Sequence, residues 1–530
     1  MTDTTSSVAP ASPDEEDAFR LTDLVRGGDA TRRARTALTL AAPGGRSLTF
    51  DELDRRSNRV ARALAAAGVQ PGDRVPMLDL NSIELFEVVF GALKAGGVFT
   101  PVNWRLTPAE VRAILVDSGA GVVVAGPQFA DLATGATDGT GMRVIVTGDE
   151  YESLLAAADD SDPGETSAAD DTVLQLYTSG TTGLPKGVML TNRNLSTLAR
   201  VAAMLAFGPD SVNMVAMPNF HIGGIGPGLI GLHAGCHTFV VPAFEPGAVL
   251  DLMESERVTN AFLVPAAFSM MAALPGAADR DWSALQSLSY GASPITVEAL
   301  RTVLATFHTP MMQVYGMTET TGAIVQLDPE DHDPGGPREH LLRSAGKPYP
   351  WVELKVVDVA TGAELPPGEV GELLVRSKAV TAGYWNRPQE TADTIAADGW
   401  LRTGDGGYLD PEGYLFLTDR IKDMIVSGAE NIYPIEVENV LADHPGIADV
   451  AVIGVPHEKW GETVKAVVVP RPGVTLDPDE VLSWAKERLA GYKRPTSIDV
   501  VAELPRNPSG KILKKDLRAP YWEGVGRRIG

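Results

Sequence analysis

Tyr177-Thr178-Ser179-Gly180-Thr181-Thr182-Gly183-Leu184-Pro185-Lys186-Gly187 follows an alternating apolar run, 172–177, that reads as a strand. Gly180 and Gly183 allow a tight turn whose backbone N–H groups point inward. Ser179, Thr181 and Thr182 add hydroxyl donors, and Lys186 adds a positive charge. A strand that runs into such a loop suits a polyphosphate. It is not a Walker loop, because the Gly-to-Lys spacing differs and Gly187 stands where that loop needs Ser or Thr.

Outward from this loop the chain reads as alternating strands and helices. Toward the N-terminus, Leu53, Val60, Ala61 and Leu64 recur at helical spacing over 51–66, and Gly68 follows as a stop. A strand is expected at 74–80 and a helix at 85–94. Thr107 followed by Glu110 is a capping-box pattern for a helix ending near Asp117. Strands follow at 121–125 and 144–147, then an acidic, solvent-exposed loop over 156–171. Beyond the glycine loop come a helix at 192–204 and short strands at 214–217, 239–241, 262–264, 371–375 and 414–417. This rhythm implies an α/β fold with parallel-rich sheets, whose ligands sit beyond the C-terminal strand ends.

The pattern changes near Asp419. Strands at 448–455, 463–469 and 497–501 and a helix at 479–489 are enough for a small separate α+β domain. We therefore expect a tail over 1–19, a large multi-subdomain unit over 20–419 and a small C-terminal domain over 420–530.

A chain of 530 residues is too long for one ordinary core. The net charge of -24 argues against nucleic-acid binding, though a local Lys or Arg still serves a phosphate. The single cysteine, Cys236, lies in an apolar stretch, so no internal disulfide forms and a packing role is expected. The first nineteen residues lack the basic start and apolar core of a signal peptide, and no run is long enough for a membrane span. A cytoplasmic protein is expected, with loose membrane association left open.

The glycine loop resembles the signature of the adenylate-forming superfamily: acyl- and aryl-CoA synthetases, luciferase and peptide-synthetase adenylation domains. Further motifs follow in that family's order. They are Met217-Pro-Asn-Phe-His-Ile-Gly-Gly224, Tyr290-Gly-Ala-Ser-Pro294, Val314-Tyr-Gly-Met-Thr-Glu-Thr320 and Trp400-Leu-Arg-Thr-Gly-Asp405. Asp419-Arg-Ile-Lys-Asp423, Ser427-Gly-Ala-Glu-Asn431 and Pro505-Arg-Asn-Pro-Ser-Gly-Lys511 complete the set. The resemblance spans nearly the whole chain after the N-terminal tail.

The resemblance implies roles. Thr178, the loop residues through Gly183, and Lys186 would hold the phosphates of ATP. Glu319, with Thr318, would ligate Mg²⁺. Tyr315 would stack on adenine, Gly291 and Ala292 would line its other side, and Gln313 and Gly316 would lie against the nucleotide. Asp405 would hold the ribose and Arg420 the nucleotide. Lys511 would reach the carboxylate and α-phosphate, and Lys422 would be the hinge of a mobile small domain. Gly428, Ala429 and Glu430, with Lys493 and Arg494, would meet coenzyme A. His221, Ile222, Gly316 and Met317 would border the acyl group. His221 stands where amino-acid-activating relatives carry an acid nearby, which favours a plain carboxylate. The implied reaction is activation of an apolar acid, a medium- or long-chain fatty acid, to acyl-AMP and then acyl-CoA. The alternatives are a fatty acyl-AMP ligase that loads a carrier protein, and a CoA ligase for aryl or sterol-side-chain acids. Homodimers are common among such relatives, but no feature of the sequence marks one.

Overall fold

The computed structural model describes residues 17–178, 185–293, 295–427, 430–457, 460–506 and 512–523. It divides into two compact units. One comprises Met1–Leu342, Tyr349–Trp351 and Arg376–Gly399, and the other Arg343–Pro348, Val352–Val375 and Trp400–Gly530.

The first unit holds two large sheets. In one, the strands run Gly383–Tyr384, Lys186–Thr191, Thr172–Thr178, Val98–Pro101, Arg74–Leu78, Val122–Ala125, Arg143–Val146. The strands from Thr172–Thr178 onward are parallel, and the two at the opposite edge are antiparallel. The helix Phe50–Ala66 opens on a capping box formed by Thr49 and Glu52. Ile83–Lys94 opens on Ser82 and is buried almost all round, as a helix between packed layers must be. Pro108–Ser118 starts on the Thr107–Glu110 box expected of it and stops at Gly119 in the left-handed conformation.

The other sheet contains Gly322–Leu327, Met311–Met317, Ser287–Gly291, Asn260–Leu263, Val212–Val215, His237–Val240, Thr36–Leu40 and Ser47–Thr49, in that spatial order. Its central pairs are parallel. The core on one of its faces packs Phe268, Phe307, Trp282, Tyr290 and Met271. Cys236 is fully buried, in keeping with a packing role.

Three elements depart from the expectations. The helix foreseen over 192–204 is two helices, Asn192–Leu195 and Leu198–Met204. At the break the Ser196 and Thr197 hydroxyls donate to the carbonyls of Arg193 and Asn194 (2.7 and 2.8 Å), the backbone bonding by which Ser and Thr interrupt helices. A helix not foreseen, Asp149–Ala156, ends where the acidic stretch begins, and that stretch is the loop expected over 156–171. The loop is exposed but tethered: Arg26 pairs with Asp162 at 2.8 Å, Arg59 with Asp160 at 3.3 Å, and Asn58 donates to the Asp160 carbonyl at 2.8 Å. The third is Ile222–Ala234, a helix where glycines erase the apolar period. Those glycines are steric necessities. A Cβ on Gly228 would stand 2.7 Å from Phe86, and one on Gly224 would overlap the Pro218 carbonyl oxygen.

The second unit contains a small sheet, Glu353–Val357, Gly371–Arg376, Leu401–Leu409 and Leu415–Arg420. Residues from about 430 to 522 form a distinct, smaller α+β domain. Its sheet runs Glu430–Ile432, Ile425–Ser427, Gly461–Pro470, Ile447–His457, and Ser497–Val500 pairs in parallel with Gly461–Pro470. The long strand Ile447–His457 is buried on both faces. Val450 and Val452 join a core with Val437, Leu441 and Val481, while Ala451, Ile453 and Val455 pack with Leu504, Leu517 and Tyr521. Among the described residues, no helix is long and apolar enough to cross a membrane.

Candidate active site

The glycine loop springs from a closed hairpin. Thr178 and Lys186 are register partners at its base, and the antiparallel pairing continues to Thr172 and Thr191. Ser179, Gly180, Thr181, Thr182 and Gly183 lie outside the described residues. A Cβ on Gly187 would stand 2.6 Å from the Gln175 amide, so a larger residue where the two strands close must push that amide aside.

A segment distant in sequence wraps this hairpin. Gly383 and Tyr384 pair with Met189 and Val188, and the Trp385 N–H donates to the Gly187 carbonyl at 2.8 Å. This wrap brings two side chains to Lys186. Its Nζ lies 2.6 Å from Glu390 Oε2 and 5.1 Å from the centre of the Tyr384 ring. The Tyr384 hydroxyl in turn donates to Glu319 Oε1 at 3.0 Å. Burial, and then the Glu319 charge, push the Tyr384 hydroxyl well above its ordinary value, so it remains a donor at every physiological pH. Sequence reasoning missed Tyr384 and Glu390. A two-residue edge strand and one glutamate on the short helix Pro388–Thr394 carry no local signal of a site.

Glu319 is buried in the turn Thr318–Thr320, between the strands Met311–Met317 and Gly322–Leu327. The turn is tied down: the Met317 N–H donates to Thr320 Oγ1 at 3.0 Å, and Thr320 Oγ1 donates to the Gly322 carbonyl at 2.8 Å. The Thr381 N–H donates to the Glu319 carbonyl at 2.8 Å. Gly316 is dictated by the same turn, since a Cβ there would overlap the Gly322 carbonyl oxygen.

Gly291, Ala292, Tyr315, Gly316 and Met317 gather at the C-terminal ends of the neighbouring parallel strands Ser287–Gly291 and Met311–Met317. Gly291 is also required internally, because its Cβ would run into the Val314 carbonyl oxygen. Ala292 adopts a left-handed φ of 66°, a strained backbone for a non-glycine residue. Gln313 accepts from the Tyr290 hydroxyl at 3.1 Å.

His221 is the N-cap of the helix Ile222–Ala234. Its ring centre lies 4.5 Å from that of Phe220, which meets Trp104 edge-on at 6.4 Å. The Arg105 guanidinium lies 4.5 Å over Trp104 and 5.9 Å over Phe220. Burial, and secondarily Arg105, lower the His221 imidazole to about 4, so it is neutral near pH 7. A Cβ on Gly322 would stand 3.4 Å from Ile222, which sets Ile222 against the Gly316–Gly322 turn. The four residues expected to border an acyl group are thus close together. Farther along, Met271, Leu263 and Leu288 are fully packed in the core, and Met270 faces solvent.

In the second unit, Asp405 and Arg420 are cross-strand partners, and the Asp405 N–H donates to Thr403 Oγ1 at 3.1 Å. Lys422 lies in the turn Ile421–Asp423 and Glu430 opens the strand Glu430–Ile432. Gly428, Ala429 and Lys511 lie outside the described residues, as do the side chains of Arg420, Lys422 and Glu430. Lys493 pairs with Glu436, and Arg494 donates to the Leu489 carbonyl at 2.9 Å. Among the described residues, no group of three or more His, Cys, Asp or Glu is placed to hold a metal alone. The lone carboxylate Glu319 suits a magnesium ion that arrives on phosphates, since Mg²⁺ commonly takes only one or two protein carboxylates.

Known proteins resemble this chain along most of its length. The AMP-binding enzyme family matches residues 28–385, and the AMP-binding enzyme C-terminal domain matches 436–511. A fatty acid–[acyl-carrier-protein] ligase, ScoC, of Streptomyces coeruleorubidus is 41% identical over 491 residues, covering 92% of this chain and 94% of its own. A feruloyl-CoA synthase of Amycolatopsis sp is 41% identical over 500 residues, covering 92% of this chain and 98% of its own. The crystal structure of ATP-bound MatB from Rhodopseudomonas palustris superposes with a TM-score of 0.88 at 32% identity, covering 96% of this chain and 99% of its own.

Proposed function

The chain belongs to the AMP-binding enzymes and is an AMP-forming acid–thiol ligase, and we propose that its acid is an aryl carboxylic acid and its thiol that of coenzyme A. The observation that carries the chemistry is the Lys186–Tyr384–Glu319 group beside the glycine-loop hairpin. It brings a cation for phosphate and a carboxylate for the accompanying Mg²⁺ to one place.

In the first half-reaction the substrate carboxylate attacks the α-phosphate of ATP, giving the acyl-adenylate and pyrophosphate. Lys186 and the loop hydroxyls hold the outer phosphates, and Lys511 meets the charge that builds on the reacting carboxylate and α-phosphate. Glu319 and Thr318 would hold Mg²⁺, which would supply charge neutralisation to the polyphosphate. Tyr315 stacks on adenine against Gly291 and Ala292, while Asp405 and Arg420 hold the ribose and nucleotide. In the second half-reaction the thiol attacks the acyl carbon and AMP leaves. Lys422 is the hinge between the two steps. Gly428, Ala429, Glu430, Lys493 and Arg494 serve CoA, and Lys493 must then exchange its partner Glu436 for a phosphate.

The expectation of a free fatty acid passed to CoA gives way to its alternatives. Support for an aryl acid comes from the feruloyl-CoA synthase and from the aromatic surroundings of His221, formed by Phe220 and Trp104. A neutral His221 beside these rings offers a hydrogen bond without a full charge. The second reading, a fatty acid handed to a carrier protein, is supported by the likeness to ScoC. Mass spectrometry separates them. The protein is given ATP and Mg²⁺ with ferulate, benzoate, octanoate, palmitate or malonate, and either CoA or a phosphopantetheinylated carrier protein. An aryl-CoA with equimolar AMP is the expected product. Octanoyl or palmitoyl carrier protein in its place selects the second reading, and malonyl-CoA alone overturns both.

A further inference from the structure

Tyr384 belongs to no motif that placed a residue in the site, yet it touches both charged groups around which the phosphate chemistry is built. Its hydroxyl donates to Glu319 Oε1 at 3.0 Å, and its ring lies 5.1 Å beneath the Lys186 ammonium. Tyr384 and Glu319 are each 7% exposed, so the contact between them is little diluted by bulk water. Its backbone is held from both sides: it pairs with Val188, two residues beyond Lys186, and its N–H donates to Thr391 Oγ1 at 3.0 Å. Gly383 at φ 126° turns the chain into this position, and a Cβ there would crowd Thr391. The two-residue strand thus fixes one ring between a cation and a carboxylate carried by two different sheets.

We propose that Tyr384 is a positioning residue for magnesium-dependent nucleotide binding, orienting the Glu319 carboxylate through its hydroxyl while its ring face supports Lys186. This rests on the reading that Glu319 and Lys186 serve Mg²⁺ and the polyphosphate. A carboxylate on a turn rotates about its side-chain torsions, and a fixed donor to one oxygen removes that freedom. Hydrogen-bond partners of metal-binding carboxylates generally act this way, and losing one weakens metal affinity about 10- to 100-fold. The ring performs a separate task. A cation over an aromatic face is attracted without an opposite charge, so the ring supports Lys186 without itself adding an anion to the one already there, Glu390.

The test is calorimetric binding of ATP to the full chain without any acid substrate, with and without Mg²⁺. It uses the wild type, Tyr384→Phe, Glu319→Gln and the double variant. The phenylalanine keeps the ring, the backbone pairing and the cation–ring contact, so ATP affinity without Mg²⁺ and the melting temperature should hold. The magnesium-dependent gain in ATP affinity should fall about tenfold in Tyr384→Phe. In the double variant it should fall no further than in Glu319→Gln alone, because the tyrosine acts through the carboxylate. A Tyr384→Phe protein with the wild-type magnesium gain overturns the inference while Glu319→Gln still loses that gain. Equal additive losses overturn it as well, since they mark a general structural role. If Glu319→Gln keeps the full magnesium gain, the underlying reading of Glu319 fails and the role of Tyr384 falls with it.

Discussion

Lys186 illustrates how a single ion pair bears on binding. Its ammonium is already partnered by Glu390 at 2.6 Å, with side-chain exposures of 19% and 34%. A polyphosphate that takes this lysine must displace the glutamate. Partly exposed pairs of this kind are worth up to about 1 kcal/mol, so the displacement costs roughly fivefold in affinity at most. Glu390→Gln should therefore lower the KM for ATP by about two- to fivefold in a pyrophosphate-exchange assay. A raised KM would mean that Glu390 orients Lys186 for the phosphates instead of competing with them.

His221 supplies the pH-dependent counterpart. Its folded value, about 4, lies below the ordinary 6.5 because burial, and then Arg105, disfavour the imidazolium. The folded state therefore binds fewer protons than the unfolded chain between these values. The stability that neutral His221 contributes is complete above pH 6.5 and is lost as pH falls toward 4. His221→Asn has no such titration. Urea unfolding at pH 7.5 and at pH 5 should show the wild type losing stability relative to the variant at the lower pH. An unchanged difference would place the imidazole in a wetter site than its packing against Phe220 indicates.

At the level of elements, glycine has opposite meanings at two positions. Gly316 faces the Gly322 carbonyl so closely that any Cβ must move the turn carrying Glu319. Gly135 lies inside the helix Ala130–Thr137 with nothing within 4 Å of an added Cβ. Gly316→Ala should destabilise by about 1–3 kcal/mol or more. Gly135→Ala should stabilise by about 0.5–1 kcal/mol, the helix-propensity difference. Urea midpoints check both, and a stable Gly316→Ala protein would show that the turn adapts. The same contrast explains which elements were legible. Pro108–Ser118 and Phe50–Ala66 announce themselves through capping residues and apolar spacing, which are local chemistry. Ile222–Ala234 was invisible because its glycines satisfy neighbours remote in sequence, such as Phe86. Gly383–Tyr384 was invisible because a two-residue strand exists only through its partner. Motif residues could be read, whereas Tyr384 and Glu390, the groups that touch Lys186, come from an edge strand and a short helix remote in sequence.

At the scale of the whole chain, the two half-reactions make different demands on the small domain. That domain has its own cores, one around Ile425, Val437 and Val452 and another around Ile453 and Leu517. It can therefore act as a rigid body whose different surfaces serve different steps. Lys511 is assigned to adenylation, whereas Gly428, Ala429, Lys493 and Arg494 are assigned to the thiol. If one body carries both sets, removing one set should spare the step served by the other. Lys511→Ala should slow acyl-adenylate formation by about 10²–10³-fold, the usual loss when one group that stabilises developing charge is deleted. The same variant, given preformed acyl-adenylate and CoA, should make thioester at a rate within a few-fold of wild type. Lys493→Ala should show the reverse, with adenylation intact and the KM for CoA raised. Rapid-quench measurement of each half-reaction separates the outcomes. Parallel loss of both steps in Lys511→Ala would mean that adenylation and thiol transfer share one arrangement of the domain, and the assignment of Lys422 as a hinge would fall with it.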